Sequence, residues 1–383
     1  MEIFDNSWPF SGGVSYPSNH HSLAEGNRRT ILGLICRRKY LSQKNLAAKT
    51  GLQPSTVSNI VRDLKTAGMV EDGTMLKSDR VGPKETVLEI VPGYRWSAGI
   101  SLEEQHRLVV INAVGHIITS TTFPANYSVP KLIQELPQRL AEFADQWRLD
   151  WNCFAGIGVS VAGVVEPQSG MVMLSHSLHE KCYPLKERME SALNVPVFVE
   201  RNVVCGAYAE RLVGVARDAE SFLHLSITGY GTDHLGFGLA TVINERIFRG
   251  NNSAAGEVDF LMDQFIAQKG PEEKGLESTD AFYRNCGEGL AAILNLLDID
   301  CLVLACDDND LTEQRFSLLK KALAKRLVSV PKRDLNLFRS RLQMNGPVLG
   351  AALLKLHRQM EKDLILPKRE EPVAADSLER AAC

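Results

Sequence analysis

Residues 198–210 read FVERNVVCGAYAE. The apolar run VPVFV breaks at Glu200-Arg201-Asn202, and a small-residue stretch with helical character, VVCGAYAERL, takes over. In an α/β chain, ligands and reacting groups gather at such strand-to-helix joints, outside the carboxyl ends of strands. A carboxylate, a guanidinium and an amide in succession suit a catalytic turn, a binding turn, or a plain connection. The eight cysteines (36, 153, 182, 205, 286, 301, 306 and 383) form no Cys-x-x-Cys pair. That usage suits reduced, mostly buried thiols of a cytoplasmic protein rather than a disulfide framework.

A second group of residues is suited to meeting a polyanion. In GLQPSTVSNIVRDLKTAGMV (51–70), Val57, Ile60, Val61 and Leu64 recur at i, i+3, i+4 and i+7, one apolar face of a helix. Pro54 fits its first turn and Gly68 its end. Ser55, Asn59, Arg62 and Thr66 fall opposite the stripe, with Ser58 beside them; Gln53 and Thr56 complete the exposed start. Short hydrogen-bonding groups with one Arg can reach base edges and phosphates.

Upstream, Ser42 can cap a short helix, QKNLAAKT, that carries Lys44 and ends at Gly51. Before it, RRTILGLICRR forms a helix with Ile31, Leu34 and Ile35 inward. This is the helix-turn-helix order. MVEDG and TVLEIV can pair as strands, and TMLKSDRVGPKE between them makes a basic wing with Lys77, Arg80 and Lys84. Residues 27–84 hold twelve Lys and Arg against four Asp and Glu, a local charge of +8 in a chain of net −3; the remainder is −11. A basic module on an acidic body points to double-stranded DNA. A solvated basic surface, or a three-helix protein-binding module, would share that charge.

The 383 residues, 44% apolar and 23% charged, suit two or three globular domains. No apolar run is long enough to span a membrane, and the N-terminus lacks the pattern of a secretory signal. Residues 1–26 are expected as a flexible arm, 27–92 as the winged helix-turn-helix, 93–366 as an α/β body and 367–383 as a tail. From Trp96 the pattern runs strand, strand, strand, helix, strand, helix, strand, and no internal repeat is visible.

GIGVSVAGVVEPQSGMV (156–172), FVERNVVCGAYAE, GFGLATVINERIFRGNNSAAGEVDF (236–260) and GLAAILNLLDIDCLVLA (289–305), in this order, resemble the ROK family of repressors and sugar kinases. The likeness extends over about 27–366. LQPSTVSNIVRDLKTAGMV is similar to the winged helix-turn-helix of that family's xylose- and N-acetylglucosamine-type repressors, and RVGPKETVLEIVP stands where their wing lies. The resemblance implies a two-lobed actin-like (ribonuclease H-like) body around a sugar cleft. Lobe one is expected at about 93–200 plus 340–366 and lobe two at about 201–339. It also implies a homodimer or dimer of dimers on a DNA operator.

The family's kinases use an Asp in Glu-Asn-Asp as general base. Here Glu200 matches, but Arg201 and Asn202 replace the other two, and an amide has no useful basicity. Asp-x-Gly-Gly-Thr is replaced around SAGISLEEQHR, where Glu103 and Glu104 repel a triphosphate. The second phosphate loop is half retained at His234–Ala240, and Ala305-Cys306 replaces a Gly-Gly. These changes lead to the expectation of no catalytic residue and no cofactor. Phe260 replaces the family's zinc-ligating His and Cys286 stands alone, so no zinc is expected. Gly163 and Glu257 match sugar-contacting positions, alongside Glu200, Arg201 and Asn202. Three outcomes stay open. The cleft binds an altered, anionic effector; it binds a small sugar weakly; or it is empty, with Arg201 paired to Glu200 or Glu257. The function implied is transcriptional repression of carbohydrate-related genes. The alternatives are a kinase with a rearranged site and a ligand-independent interaction protein.

Overall fold

The computed structural model describes residues 4–5, 20–37, 41–75, 86–103, 105–124, 127–175, 178, 180–228, 236–259, 261–262, 276–306, 311–328 and 334–365. The wing residues Lys77, Arg80 and Lys84, together with Glu104, Phe260 and the tail, lie outside them. The chain forms two compact units: 6–213 with 347–383, and 1–5 with 214–346. These divide at 213/214 and 346/347, beyond the expected 200/201 and 339/340.

In the first unit, α1 (His20–Arg37), α2 (Gln43–Thr50) and α3 (Pro54–Thr66) precede a two-stranded sheet of β2 (Val70–Met75) and β3 (Thr86–Ile90). Val57, Ile60, Val61 and Leu64 form the buried stripe of α3 as their spacing predicts. α1 starts at His20, inside the expected flexible arm. Its Leu32 is fully buried and Leu34 only half-buried, a different inward set from the one expected. The helix packs on α2, α3 and β3 and also on α6 (Asn202–Leu212) of the adjoining lobe, so it is covered from two sides.

That lobe is a five-stranded sheet, β11-β7-β4-β5-β6. Its members are β4 (Trp96–Leu102), β5 (Arg107–Asn112), β6 (Ile117–Thr122), β7 (Phe154–Val161) and β11 (Val197–Arg201). β4, β5 and β6 form an antiparallel meander; β7 joins β4, and β11 joins β7, in parallel. Leucines of α4 (Val129–Trp147), with Leu185, Met189 and Leu193 of α5 (Leu185–Leu193), close one sheet face. The other face receives α9 (Gly346–Ile365), with α6 (Asn202–Leu212) packed against it. A Cβ at Gly158 would strike the Ala351 carbonyl, and one at Gly350 that of Cys205, so glycine permits these close approaches. A small three-stranded sheet, β10-β9-β8, comprises β8 (Val164–Glu166), β9 (Met171–Ser175) and β10 (Glu180–Tyr183).

The second unit repeats that arrangement. β12 (Phe222–Thr228), β13 (Gly236–Ile243) and β14 (Arg246–Phe248) form an antiparallel meander. β15 (Cys301–Ala305) joins β12 and β16 (Asn336–Arg339) joins β15, both in parallel. α7 (Leu276–Leu297) and α8 (Glu313–Arg326) share its core. A two-residue β1, Phe4–Asp5, extends the sheet beside β14, so this part of the expected arm is ordered in a ladder. Among the described residues no helix is long and apolar enough to cross a membrane.

Candidate functional site

The polar face of α3 is presented as its spacing predicts. Gln53, Ser55, Ser58, Asn59 and Arg62 are exposed and Thr56 is half-buried. Pro54 opens the helix, and Gly51 caps α2 at φ 70°, a left-handed conformation open to glycine at little cost. The Arg62 side chain is 71% exposed, with Asp63 3.9 Å away; Asp63 is also reached by Arg28 of α1 at 3.3 Å. Lys44 is exposed on α2.

Ser42 does not belong to this surface. It is 3% exposed, donates from Oγ to Asn45 Oδ1 at 2.9 Å and accepts from the Asn45 N–H at 3.2 Å. The Ser42 N–H donates back to Asn45 Oδ1 at 3.0 Å. The hydroxyl is committed to a capping box, which orients α2.

The turn at 200–202 joins β11 to α6. Glu200 is fully buried and accepts the Arg201 N–H at 2.8 Å. Arg201 is 4% exposed, and its Nε donates to the Gly163 carbonyl at 3.2 Å. Gly163 has φ 133°, and a Cβ there would strike the Leu174 carbonyl, so the loop requires glycine. Two of the expected ligand contacts, Arg201 and Gly163, therefore bond to each other. Asn202 occupies the first position of α6; its Oδ1 accepts the Val203 N–H at 2.8 Å and its Nδ2 donates to Glu103 Oε1 at 3.3 Å. The division expected at 200/201 falls at this turn, but α6 belongs to the first unit, where Val203 through Leu212 are all buried.

Gly163, Glu200, Arg201 and Asn202 thus converge in one unit. Glu257 lies in the other, exposed, with a backbone bridge to Gly238. Of the expected second phosphate loop, 234–240, residues Gly236–Ala240 are part of strand β13, and 234–235 lie outside the described residues. The Phe237 N–H donates to Asp259 Oδ1 at 2.6 Å. The Glu103 carboxylate that accepts from Asn202 follows directly on the end of β4. Cys286 is buried in the second core, and burial pushes its thiol well above the usual range, so it stays protonated.

Two features escaped the sequence reading. Strand register sets Ser101 and Ser160 beside Glu200 in one row across β4, β7 and β11; both hydroxyls are buried and make no hydrogen bond among the described residues. Tyr94 and Arg95 bond to Asp363, far away in the chain. Alternation could have put Ser101 and Ser160 on one face once the strand pairing was known; no local pattern links Arg95 to Asp363.

Residues 103–271 match the ROK family model and residues 26–74 the MarR family model. The chain is 26% identical over 245 residues to the xylose repressor of Caldicellulosiruptor bescii, covering 63% of this chain and 59% of that one. It is 22% identical over 264 residues to the DNA-binding transcriptional dual regulator NagC of Escherichia coli K12, covering 67% and 62%. The chain therefore spans about three fifths of the length of these curated relatives. A crystal structure of a ROK family transcriptional regulator, a homolog of the E. coli MLC protein, superposes with TM-score 0.68 at 18% identity, covering 90% of this chain and 99% of that one.

Proposed function

We propose, from the match of residues 103–271 to the ROK family model and of residues 26–74 to the MarR family model, that the chain is a DNA-binding transcriptional regulator, a repressor of carbohydrate-related genes, whose body performs no phosphoryl transfer. The observation that carries this reading is α3: its apolar stripe is buried while Ser55, Ser58, Asn59 and Arg62 stay exposed. A helix held from behind, with hydrogen-bonding groups and one guanidinium outward, can enter a major groove and read base edges. The relatives named as xylose repressor and NagC support the class of regulated genes.

Against catalysis stand Asn202 at the position of the general base and two carboxylates, Glu103 and Asp259, where phosphates would need donors. Asn202 also spends its Oδ1 on the Val203 N–H and its Nδ2 on Glu103. Arg201 acts as a structural tie on Gly163 rather than as a free anion contact. A small sugar effector acts by preferring one conformation of the body, and two copies of the chain place two recognition helices on a palindromic operator.

Selection of bound sequences from random duplex DNA with the full chain tests the reading. An enriched palindrome whose half-sites lie about one helical turn apart, or a multiple of it, supports it. Absence of enrichment, or ATP-dependent phosphorylation of a sugar by the purified chain, contradicts it.

A further inference from the structure

The segment between β3 and β4 leads from the winged helix into the first lobe. The Val91 N–H donates to the Met69 carbonyl at 3.0 Å and the Ala113 N–H to the Pro92 carbonyl at 3.1 Å, while the side chains of Tyr94 and Arg95 converge on one acceptor, Asp363. Arg95 meets Asp363 with both prongs: Nε to Oδ2 at 2.9 Å and Nη2 to Oδ1 at 2.9 Å. Tyr94 OH donates to Asp363 Oδ2 at 3.0 Å and Gln359 Nε2 to Oδ1 at 3.1 Å, while Arg95 Nη1 donates to the Asn152 carbonyl at 3.0 Å. The Arg95 and Asp363 side chains are 13% and 9% exposed, so the pair is shielded from water and salt. Burial and the Asp363 carboxylate push the Tyr94 phenol upward, which keeps it a donor.

Asp363 lies near the end of α9, and that helix is held from the other side. Gly350 of α9 abuts the Cys205 carbonyl of α6, and His357 shares a buried hydrogen bond with Tyr208 of α6 at 2.8 Å. The end of α1 meets the same helices: Cys36 and Arg37 lie within electrostatic reach of Tyr208 and Glu361. α6 begins at the 200–202 turn. One set of packed helices therefore runs from the candidate ligand turn to both attachments of the winged helix.

We propose that Arg95 and Asp363 are positioning residues for operator recognition: their bidentate pair fixes the winged helix on the first lobe, so that α6 and α9 set the direction in which α3 is presented. The inference rests on the DNA-binding reading above and adds to it the residues that set half-site spacing. A planar guanidinium locked on a carboxylate fixes direction as well as distance, which a flexible ammonium would not. A module held in one orientation binds two half-sites at one separation without a further ordering cost, and a loosened module tolerates several.

The test compares the full-length wild type with Asp363→Asn and Asp363→Glu; Arg95→Lys takes the place of Asp363→Asn if that variant fails to fold. Hydrogen exchange needs no DNA. Asp363→Asn is expected to speed exchange at the end of α1 and through 91–95 by about tenfold, with β7 unchanged. On the palindrome selected by the wild type, insertion or deletion of one or two base pairs between half-sites should weaken wild-type binding by about tenfold or more. In Asp363→Asn that discrimination falls below about threefold, while binding to a single half-site stays within about twofold. Asp363→Glu, which keeps the charge, recovers part of the discrimination.

Unchanged exchange at α1 and 91–95, discrimination kept in Asp363→Asn, or half-site binding lost along with it, overturns the proposal. A wild-type chain that selects no sequence refutes the DNA-binding reading instead, and the exchange arm then still decides whether the pair holds the module.

Discussion

Replacing Arg201 with alanine removes the tie between the β11–α6 turn and the Gly163 loop. Arg201 is 4% exposed and its Nε donates to the Gly163 carbonyl at 3.2 Å. A hydrogen bond from a charged donor contributes about 1.5–3 kcal/mol. The buried stem of three methylenes adds roughly 2 kcal/mol, at about 0.8 kcal/mol per CH2. Relief of the desolvation cost of a buried cation offsets part of this. The expected net loss is about 3 kcal/mol, a large share of a typical domain stability of about 5–15 kcal/mol. Arg201→Lys recovers less than half, because an ammonium does not reproduce the direction of the guanidinium N–H.

Urea unfolding followed by tryptophan fluorescence measures the effect. Trp96, Trp147 and Trp151 lie in the unit of residues 6–213, so their signal reports the unit that contains Arg201. A loss below about 1 kcal/mol refutes the assignment of Arg201 as a structural tie. A gain in stability refutes it more strongly, since it shows a cation held at a cost, as an anion-binding residue is.

Two other substitutions test neighbouring points. Lys355 is buried with its Nζ on the Ala155 carbonyl, and burial, with Lys362 and Arg358 nearby, lowers its ammonium from 10.5 to about 7. Between those values the folded chain holds fewer protons than the unfolded one, so unfolding free energy rises with pH by up to about 1.4 kcal/mol per unit. The cost is fully present below pH 7 and gone above 10.5; Lys355→Met should flatten this rise in urea titrations across the window, and an unchanged slope contradicts it. Ser42→Ala should cost about 1 kcal/mol through loss of the capping box. Its half-site affinity should stay within about twofold of wild type under conditions where both are folded; a larger drop restores Ser42 to the DNA surface.

Legibility followed the range of the interactions. The stripe of α3, the helix 129–147 and the first meander were readable because each is specified by local periodicity. The repetition between the two units was not readable, since equivalent strands share a pairing order without sharing residues. The start of α1 at His20 lies inside the expected arm because His, Ser and Gly there show no apolar periodicity, and Leu23 in that first stretch is exposed, so no buried stripe marks it. Ser42 was legible as a cap and was also counted as a DNA contact; burial separates the two roles. At the 200–202 turn, residue types put an amide, Asn202, where the resemblance expects a base, but only the fold shows Arg201 turned onto Gly163. Arg95 and Asp363, 268 positions apart, left no trace in local pattern.

The central claim is that the face of α3 reads DNA sequence. Its most direct test is equilibrium binding of wild type and Arg62→Ala to the selected operator and to single-base variants of it, over a range of salt. The account predicts that Arg62→Ala loses about 1–3 kcal/mol of affinity and no longer discriminates at one base position in each half-site. Uniform loss across all variants, or affinity equal to wild type, would contradict it.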